Sequence, residues 1–429
     1  MEKCQEQTGV SSGVIEEQTG VGVIVERNSS DYPEILSNID EIIKGMEEDF
    51  FHLDDFRELL QLLNITIQSI HNINILDEIR IIEHVIENHA KHIDIQHFYP
   101  PKIRELQLIP QPAQKSKEWL DRRQNFITAS VFGDACGIKG VRSLVTLLLN
   151  KISYDQYQPF MGNTATKWGE KYEPVANMIY CHRNMTKIYD FGLIPHKKED
   201  LYFLGASTDG ATHDLINIEI KCPYSRLITG VPPTAYWAQM QLQMEVLDLD
   251  KTHFLECSFM EYNNIDGFFE DFYLDTEQMN LRPESDDQIK FRRETVKEKG
   301  LIIETKAEEL KDKYIYSSIS DLDTLRKWYQ TTKENLGDKY LTTHPWVLTR
   351  LSCVNVDRDK EWFESSIPVI KTFWKDVEYY REKKTTLGEL GRLKEELTEK
   401  YSKLLGVKAR KSPNKKSTGG GLQRGVCLL

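Results

Sequence analysis

Between Tyr32 and about Ile95 the apolar residues return every three or four positions, in YPEILSNIDEIIKGM, FRELLQLLNITIQSI and ILDEIRIIEHVIENH. That period lays them along one stripe of a helix, so residues 31–98 are expected to form three amphipathic helices packed as a small bundle. The preceding stretch, 1–30, is Gly-rich, contains the near-repeat EQTGVSSGVI and EQTGVGVI, and has no helical period; it reads as a mobile tail. Four prolines between 99 and 114 predict an extended linker.

From residue 115 the pattern changes. SKEWLDRR reads as a helix, ITASVFGDACG as a second ended by Gly137, and TKWGEKYEPVANMIYCHRN as a third with Pro174 bending it or near its start. IYDFGLIPH, LYFLGAST, LINIEIKC and THFLECSFMEY carry the β-branched and aromatic residues of strands. PTAYWAQMQLQMEVLD, between the third and fourth of these strands, returns to helix. Helices, a run of strands, one helix and another strand predict an α/β fold with a mixed central sheet flanked by helices over 115–285. Residues 286–406 are charged and read as a mainly helical extension, and 407–429 as a basic, disordered tail.

Composition narrows the classes of function. The net charge of −12 argues against nucleic acid, yet it is unevenly spread: residues 1–100 hold 20 acids against 6 Lys and Arg, the remainder 47 against 49. That distribution permits a DNA-facing body with an acidic appendage. The seven cysteines are scattered singly, which speaks against a zinc ribbon or a disulfide framework and for a reducing intracellular setting. No apolar run is long enough for a membrane span, and the N-terminus MEKCQEQTGV is not that of a secretory signal. The histidines clustered between 52 and 97 lack a zinc-ligand pattern and read as a solvated helical face. Glycine-rich stretches lack phosphate-loop spacing, and Ser207 lacks the setting of a serine hydrolase.

The chemistry concentrates in GASTDGATHDLINIEIKCPYS. Alternation sends Ile216, Ile218 and Ile220 to one face of a strand and Leu215, Asn217, Glu219 and Lys221 to the other. Glu219 and Lys221 then project together, roughly 7 Å apart. If the preceding strand pairs through the turn, Asp209 lies close to Glu219. Two converging carboxylates repel unless a cation stands between them, and oxygen-only ligands suit Mg²⁺ or Mn²⁺. A neighbouring lysine can orient a water and stabilise charge developing on a phosphate. A surface hairpin with an ordinary Glu–Lys pair has the same pattern.

The company of this hairpin decides between the two. WLDRRQNFITAS, WGEKYEPVA, GASTDGATHDLINIEIKCP and YWAQMQLQMEV resemble, in family order, the motifs of the YqaJ-type viral recombinase family. That family is related to bacteriophage lambda exonuclease and belongs to the PD-(D/E)XK nuclease superfamily. The likeness covers roughly 100–385. It implies a restriction-endonuclease-like core with metal ligands at Glu173, Asp209 and Glu219, the Ile220 carbonyl as a further ligand, and Lys221 as the catalytic lysine. It implies an active-site glutamine at Gln239 or Gln241. It places a 5′-phosphate on Arg123, with Arg122 as the alternative, and on Ser130; a planar guanidinium suits that task. Glu170, three residues before Glu173, is read as a partner of the ligands.

By the same resemblance the chain is a Mg²⁺- or Mn²⁺-dependent DNA exonuclease. It would digest one strand of linear duplex from a 5′ end and expose a 3′ overhang for recombination or repair. Duplex ends, a single-strand annealing protein or recombinase, and a ring-shaped homo-oligomer are the implied partners, with no membrane. The implied setting is the cytoplasm or nucleus of an infected host cell. A structure-specific endonuclease on the same core, and a non-catalytic DNA-binding or assembly module, are the alternatives.

Overall fold

The computed structural model describes residues 31–44, 75–90, 93–112, 114, 116–153, 163–270, 298–306, 313–383 and 387–406. The chain divides into two compact units between Glu48 and Asp49. In the first, the described part is the helix Asp31–Lys44. The helix Ile75–His89 lies in the second unit, where Glu83 pairs with Lys187. Of the three helices expected in the acidic region, the middle one falls outside the described residues, as do both terminal tails.

The stretch read as an extended linker contains a helix, Pro101–Gln107. Proline is well tolerated in a first turn, where its missing N–H has no partner to lose. Ile103 and Leu106, one turn apart, are buried and hold the helix down. The proline count therefore marked where the helix begins and stops.

Among the described residues, ten strands form two sheets. A small one runs β1 (Ile127–Thr128), β4 (Leu204–Ala206), β3 (Ile194–Pro195), with β1 parallel to β4 and β3 antiparallel to it. The larger sheet has seven strands in the order β2 (Ile188–Tyr189), β5 (Ala211–Thr212), β6 (Asn217–Lys221), β7 (Lys251–Glu261), β10 (Tyr340–Asp357), β8 (Lys299–Thr305), β9 (Tyr314–Tyr316). Only the β6–β7 pair is parallel, because the helix Thr234–Leu247 crosses between them; the sheet is therefore mixed, as the element order predicted.

Residues 286–406, read as mainly helical, contribute β8, β9 and β10 as well as the helices Leu322–Leu336, Lys360–Glu382 and Leu387–Leu404. β10 is 18 residues long and pairs with β7 along one part and β8 along another. Its sequence, YLTTHPWVLTRLSCVNVD, is rich in β-branched residues, but the charged surroundings hid it.

β6 is the strand on which the site is built. Ile218 and Ile220 pack against Tyr172, Val175 and Ile179 of the helix Thr164–Asn184. The opposite face lies under the helix Thr234–Leu247, so that Asn217 and Glu219 are both 0% exposed. An acid and an amide sit here in a fully covered strand. Buried polar groups of this kind require specific partners.

Candidate active site

Asp209 reaches Glu219 by a route different from the one expected. β4, the strand preceding Asp209, pairs within the small sheet, and the hairpin partner of β6 is β5. Between the two, residues 208–210 run beside β6. The Ile218 N–H donates to the Gly210 carbonyl at 2.9 Å, and the Ile220 N–H donates to Asp209 Oδ2 at 2.6 Å. Gly210 makes that path available: its φ is +138°, and a Cβ there would stand 2.2 Å from Ile188 Cγ2. No other residue fits both conditions.

Around Glu219 the bonding is complete. Oε1 accepts from Gln239 Nε2 at 2.7 Å and from the Lys221 ammonium; Oε2 accepts from Gln243 Nε2 at 2.6 Å. The Lys221 ammonium also donates to the Ile220 carbonyl at 3.1 Å. Burial lowers the Lys221 pKa, but Glu219 and Asp209 outweigh it and hold the group above its ordinary range. In this arrangement Lys221 is held as a charged donor. Burial pushes Asp209 well above the carboxylate range, the facing Glu219 and Glu173 add to that, and Lys221 and the Ile220 N–H oppose it. An acid strained in this way gains from any cation placed beside it.

Glu173 sits half-buried on the helix Thr164–Asn184, near enough to act on Asp209, Cys222 and Tyr316 through its charge; Glu170, one turn earlier, is exposed. Among the described residues, no three acids, histidines or cysteines stand at ligating distance of one point as they lie. The oxygen-only set of Asp209, Glu219 and the Ile220 carbonyl nevertheless suits a hard divalent cation, and the ammonium of Lys221 already bonds two of those oxygens.

The two glutamines left open by the sequence face different ways. Gln239 bonds Glu219, whereas Gln241 donates to the Asp357 carbonyl at 3.0 Å and accepts from the Asp359 N–H at 2.6 Å. Two residues along a helix turn the side chain about 200°, so both cannot face one strand residue. Gln243, four residues after Gln239 and therefore on its face, was missed; the i, i+4 spacing in AQMQLQ is the signal that could have found it.

Arg123 and Ser130 come together as expected, with Arg123 Nη2 donating to Ser130 Oγ at 2.9 Å and to Thr128 Oγ1 at 3.3 Å. The guanidinium lies 4.2 Å over the Trp119 ring, and burial lowers it to about 10. Among the described residues no carboxylate pairs with it. Arg122 instead donates to the Pro110 carbonyl. Trp119 Nε1 donates to Ser207 Oγ at 3.0 Å, two residues before Asp209, which ties this basic arm to the carboxylates. The turn carrying Arg123 is held from below by buried Lys151, whose Nζ donates to the Arg123 and Phe126 carbonyls, both at 2.8 Å.

A second cation, also missed, stands nearby. Glu256 on β7 is in register with Lys221, fully buried, and bonded to Arg226; Lys221 and Arg226 lie 5.2 Å and 5.9 Å from the Tyr236 ring centre. Register across a parallel pair is invisible in a single sequence.

Residues 118–250 match the family model of the YqaJ-like viral recombinase domain. An uncharacterised protein of Acanthamoeba polyphaga mimivirus is 28% identical over 332 residues, which cover 68% of this chain and 58% of that relative, so the chain spans less than two thirds of the relative's length. Among solved structures, the alkaline exonuclease LHK-Exo of Laribacter hongkongensis is similar at 20% identity, over 67% of this chain and 100% of that one, with a TM-score of 0.36. A phage-related exonuclease of Haemophilus somnus 129PT follows at 15% identity, over 66% and 94%, with a TM-score of 0.31. No described helix is long and apolar enough to cross a membrane. Asp209, Glu219, Lys221 and the Gln239–Gln243 pair all fall inside the segment that is similar to the YqaJ-like viral recombinase domain.

Proposed function

We propose that this chain is a metal-dependent DNA exonuclease that degrades one strand of linear duplex from its 5′ end and leaves a 3′ overhang for recombination or repair. The observation that carries the reading is the Asp209–Glu219–Lys221 group, tied through Ser207 and Trp119 to the half-buried guanidinium of Arg123. One part of that pair suits a scissile phosphate and the other a terminal phosphate.

Asp209, Glu219 and the Ile220 carbonyl would hold a Mg²⁺ or Mn²⁺ ion, with Glu173 adding charge from the neighbouring helix. Such an ion supplies Lewis acidity toward a phosphoryl oxygen and a more acidic bound water. The remaining work falls to the chain itself. Lys221, kept charged by two carboxylates, donates to the attacking water or to the phosphoryl oxygen on which charge accumulates. Gln239 fixes Glu219 so that its oxygens face the reacting group. Arg123 and Ser130 hold the 5′-phosphate, and the guanidinium fork matches that group bidentately. Duplex ends are the substrate in this reading; a ring-shaped oligomer and a single-strand annealing protein or recombinase as partner, in an infected cell, complete it.

Incubation of the purified chain with Mg²⁺ and a 5′-phosphorylated linear duplex should release nucleotides and leave covalently closed circles intact. Cutting of closed circles would move the assignment to an endonuclease. DNA retention without product at any Mg²⁺ or Mn²⁺ concentration would leave a binding module.

A further inference from the structure

We propose that Gln243 is a positioning residue that couples the two halves of this site, so that engagement of the terminal phosphate and the setting of Glu219 are one event. The inference rests on the nuclease reading above.

One amide nitrogen performs both contacts. Gln243 Nε2 donates to Glu219 Oε2 at 2.6 Å and to the Ser207 carbonyl at 3.2 Å. A carboxylate and a carbonyl only accept, so the two hydrogens of the amide are spent on these partners and the flip state is determined. Its Oε1 accepts from Asn217 Nδ2 at 3.1 Å, and Asn217 in turn donates to Thr252 Oγ1 at 2.9 Å. Gln243 is 0% exposed, and its side-chain amide N and O both take part in these bonds.

Each partner leads to a different half. Glu219 belongs to the carboxylate group with Lys221. Ser207 accepts from Trp119, on whose ring Arg123 lies, and it stands two residues before Asp209. A shift of the Ser207 backbone on filling of the Arg123 pocket therefore pulls on the same amide that orients Glu219. Gln239 bonds Glu219 as well but has no bond to the phosphate arm, so it cannot carry the coupling. Outer partners of this kind typically change metal affinity by about 10–100-fold when removed.

The test compares Gln243→Met with wild type by two readouts: Mn²⁺ affinity from calorimetry, and the ratio of digestion rates on 5′-phosphorylated against 5′-hydroxyl ends. Gln243→Met should lose roughly tenfold in Mn²⁺ affinity and bring the end ratio down toward unity. Thr252→Val, which breaks the same buried network beyond Asn217, should keep both. Unchanged affinity and ratio in Gln243→Met, or equal losses in Thr252→Val, would overturn the proposal. Should Gln243→Met not fold, Gln243→Glu keeps the length and the acceptor for Asn217 but loses the donors to both Ser207 and Glu219. A wild-type end ratio in that variant overturns the coupling too. A wild-type chain that neither takes up Mn²⁺ nor cuts DNA sinks the nuclease reading itself, a result separate from these.

Discussion

Gln239 and Lys221 donate to the same oxygen of Glu219. One carboxylate oxygen thus carries two donors from different elements, a helix and a strand, in a position with no solvent exposure. That bonding satisfies both oxygens of a fully buried carboxylate and fixes its orientation.

The first prediction separates the two glutamines. Gln239→Ala should lower the hydrolytic rate by roughly 10²-fold, on the scale of losing one oriented donor at a charged site. Gln241→Ala removes bonds to Asp357 and Asp359 and should cost about 1–3 kcal/mol of stability with far less effect on rate. Single-turnover digestion and urea unfolding of both variants read the difference.

Charge at Asp209 yields a second expectation. Its pKa is raised by burial and by the facing Glu219 and Glu173, so the folded chain holds a proton there to higher pH than an ordinary carboxylate does. Binding of a divalent cation must displace that proton. Mn²⁺ titrations in buffers of different ionisation enthalpy should report proton release that falls as pH rises, and Asp209→Asn should abolish it.

Arg226 and Glu256 should behave asymmetrically. Arg226→Met strands a fully buried carboxylate and should destabilise by about 3 kcal/mol, whereas Glu256→Gln leaves a partly exposed guanidinium that water can serve and should cost less. The double variant should recover part of the loss. Denaturant midpoints of the three proteins check the order.

Lys151 gives the pH dependence its sign. Burial lowers its pKa to about 7, with repulsion from Arg123 and Arg381 adding to that, against about 10.4 in an unfolded chain. Between these values the unfolded chain holds a proton that the folded chain has lost, so stability rises with pH across that window and the group gives no slope below it. The neutral amine still has hydrogens for the Arg123 and Phe126 carbonyls. Unfolding free energies from pH 7 to 10 should rise by up to about 1.4 kcal/mol per unit from this group, and Lys151→Met should lack that component.

The alternation in LINIEIKC and the turn residues around Asp209 made the central hairpin chemistry legible, because a strand's period of two assigns faces without any other information. The same signals misjudged its surroundings. Nothing local tells that a helix covers the Glu219 face, that Asp209 arrives through β5 and not β4, or that Glu256 stands beside Lys221. Those are facts of long-range pairing. β10 was hidden for a related reason: the charged helices on both sides set the composition of the whole region. Gln243 was within reach of helical spacing alone.

The most direct test is anomalous diffraction from crystals of the chain grown with Mn²⁺. The account requires a peak bridging the Asp209 and Glu219 carboxylates and the Ile220 carbonyl, at about 2.0–2.3 Å from each, with the Lys221 ammonium displaced toward the vacant phosphate position. Well-ordered crystals with Mn²⁺ bound elsewhere, and with Lys221 still bonded to Glu219, would contradict it.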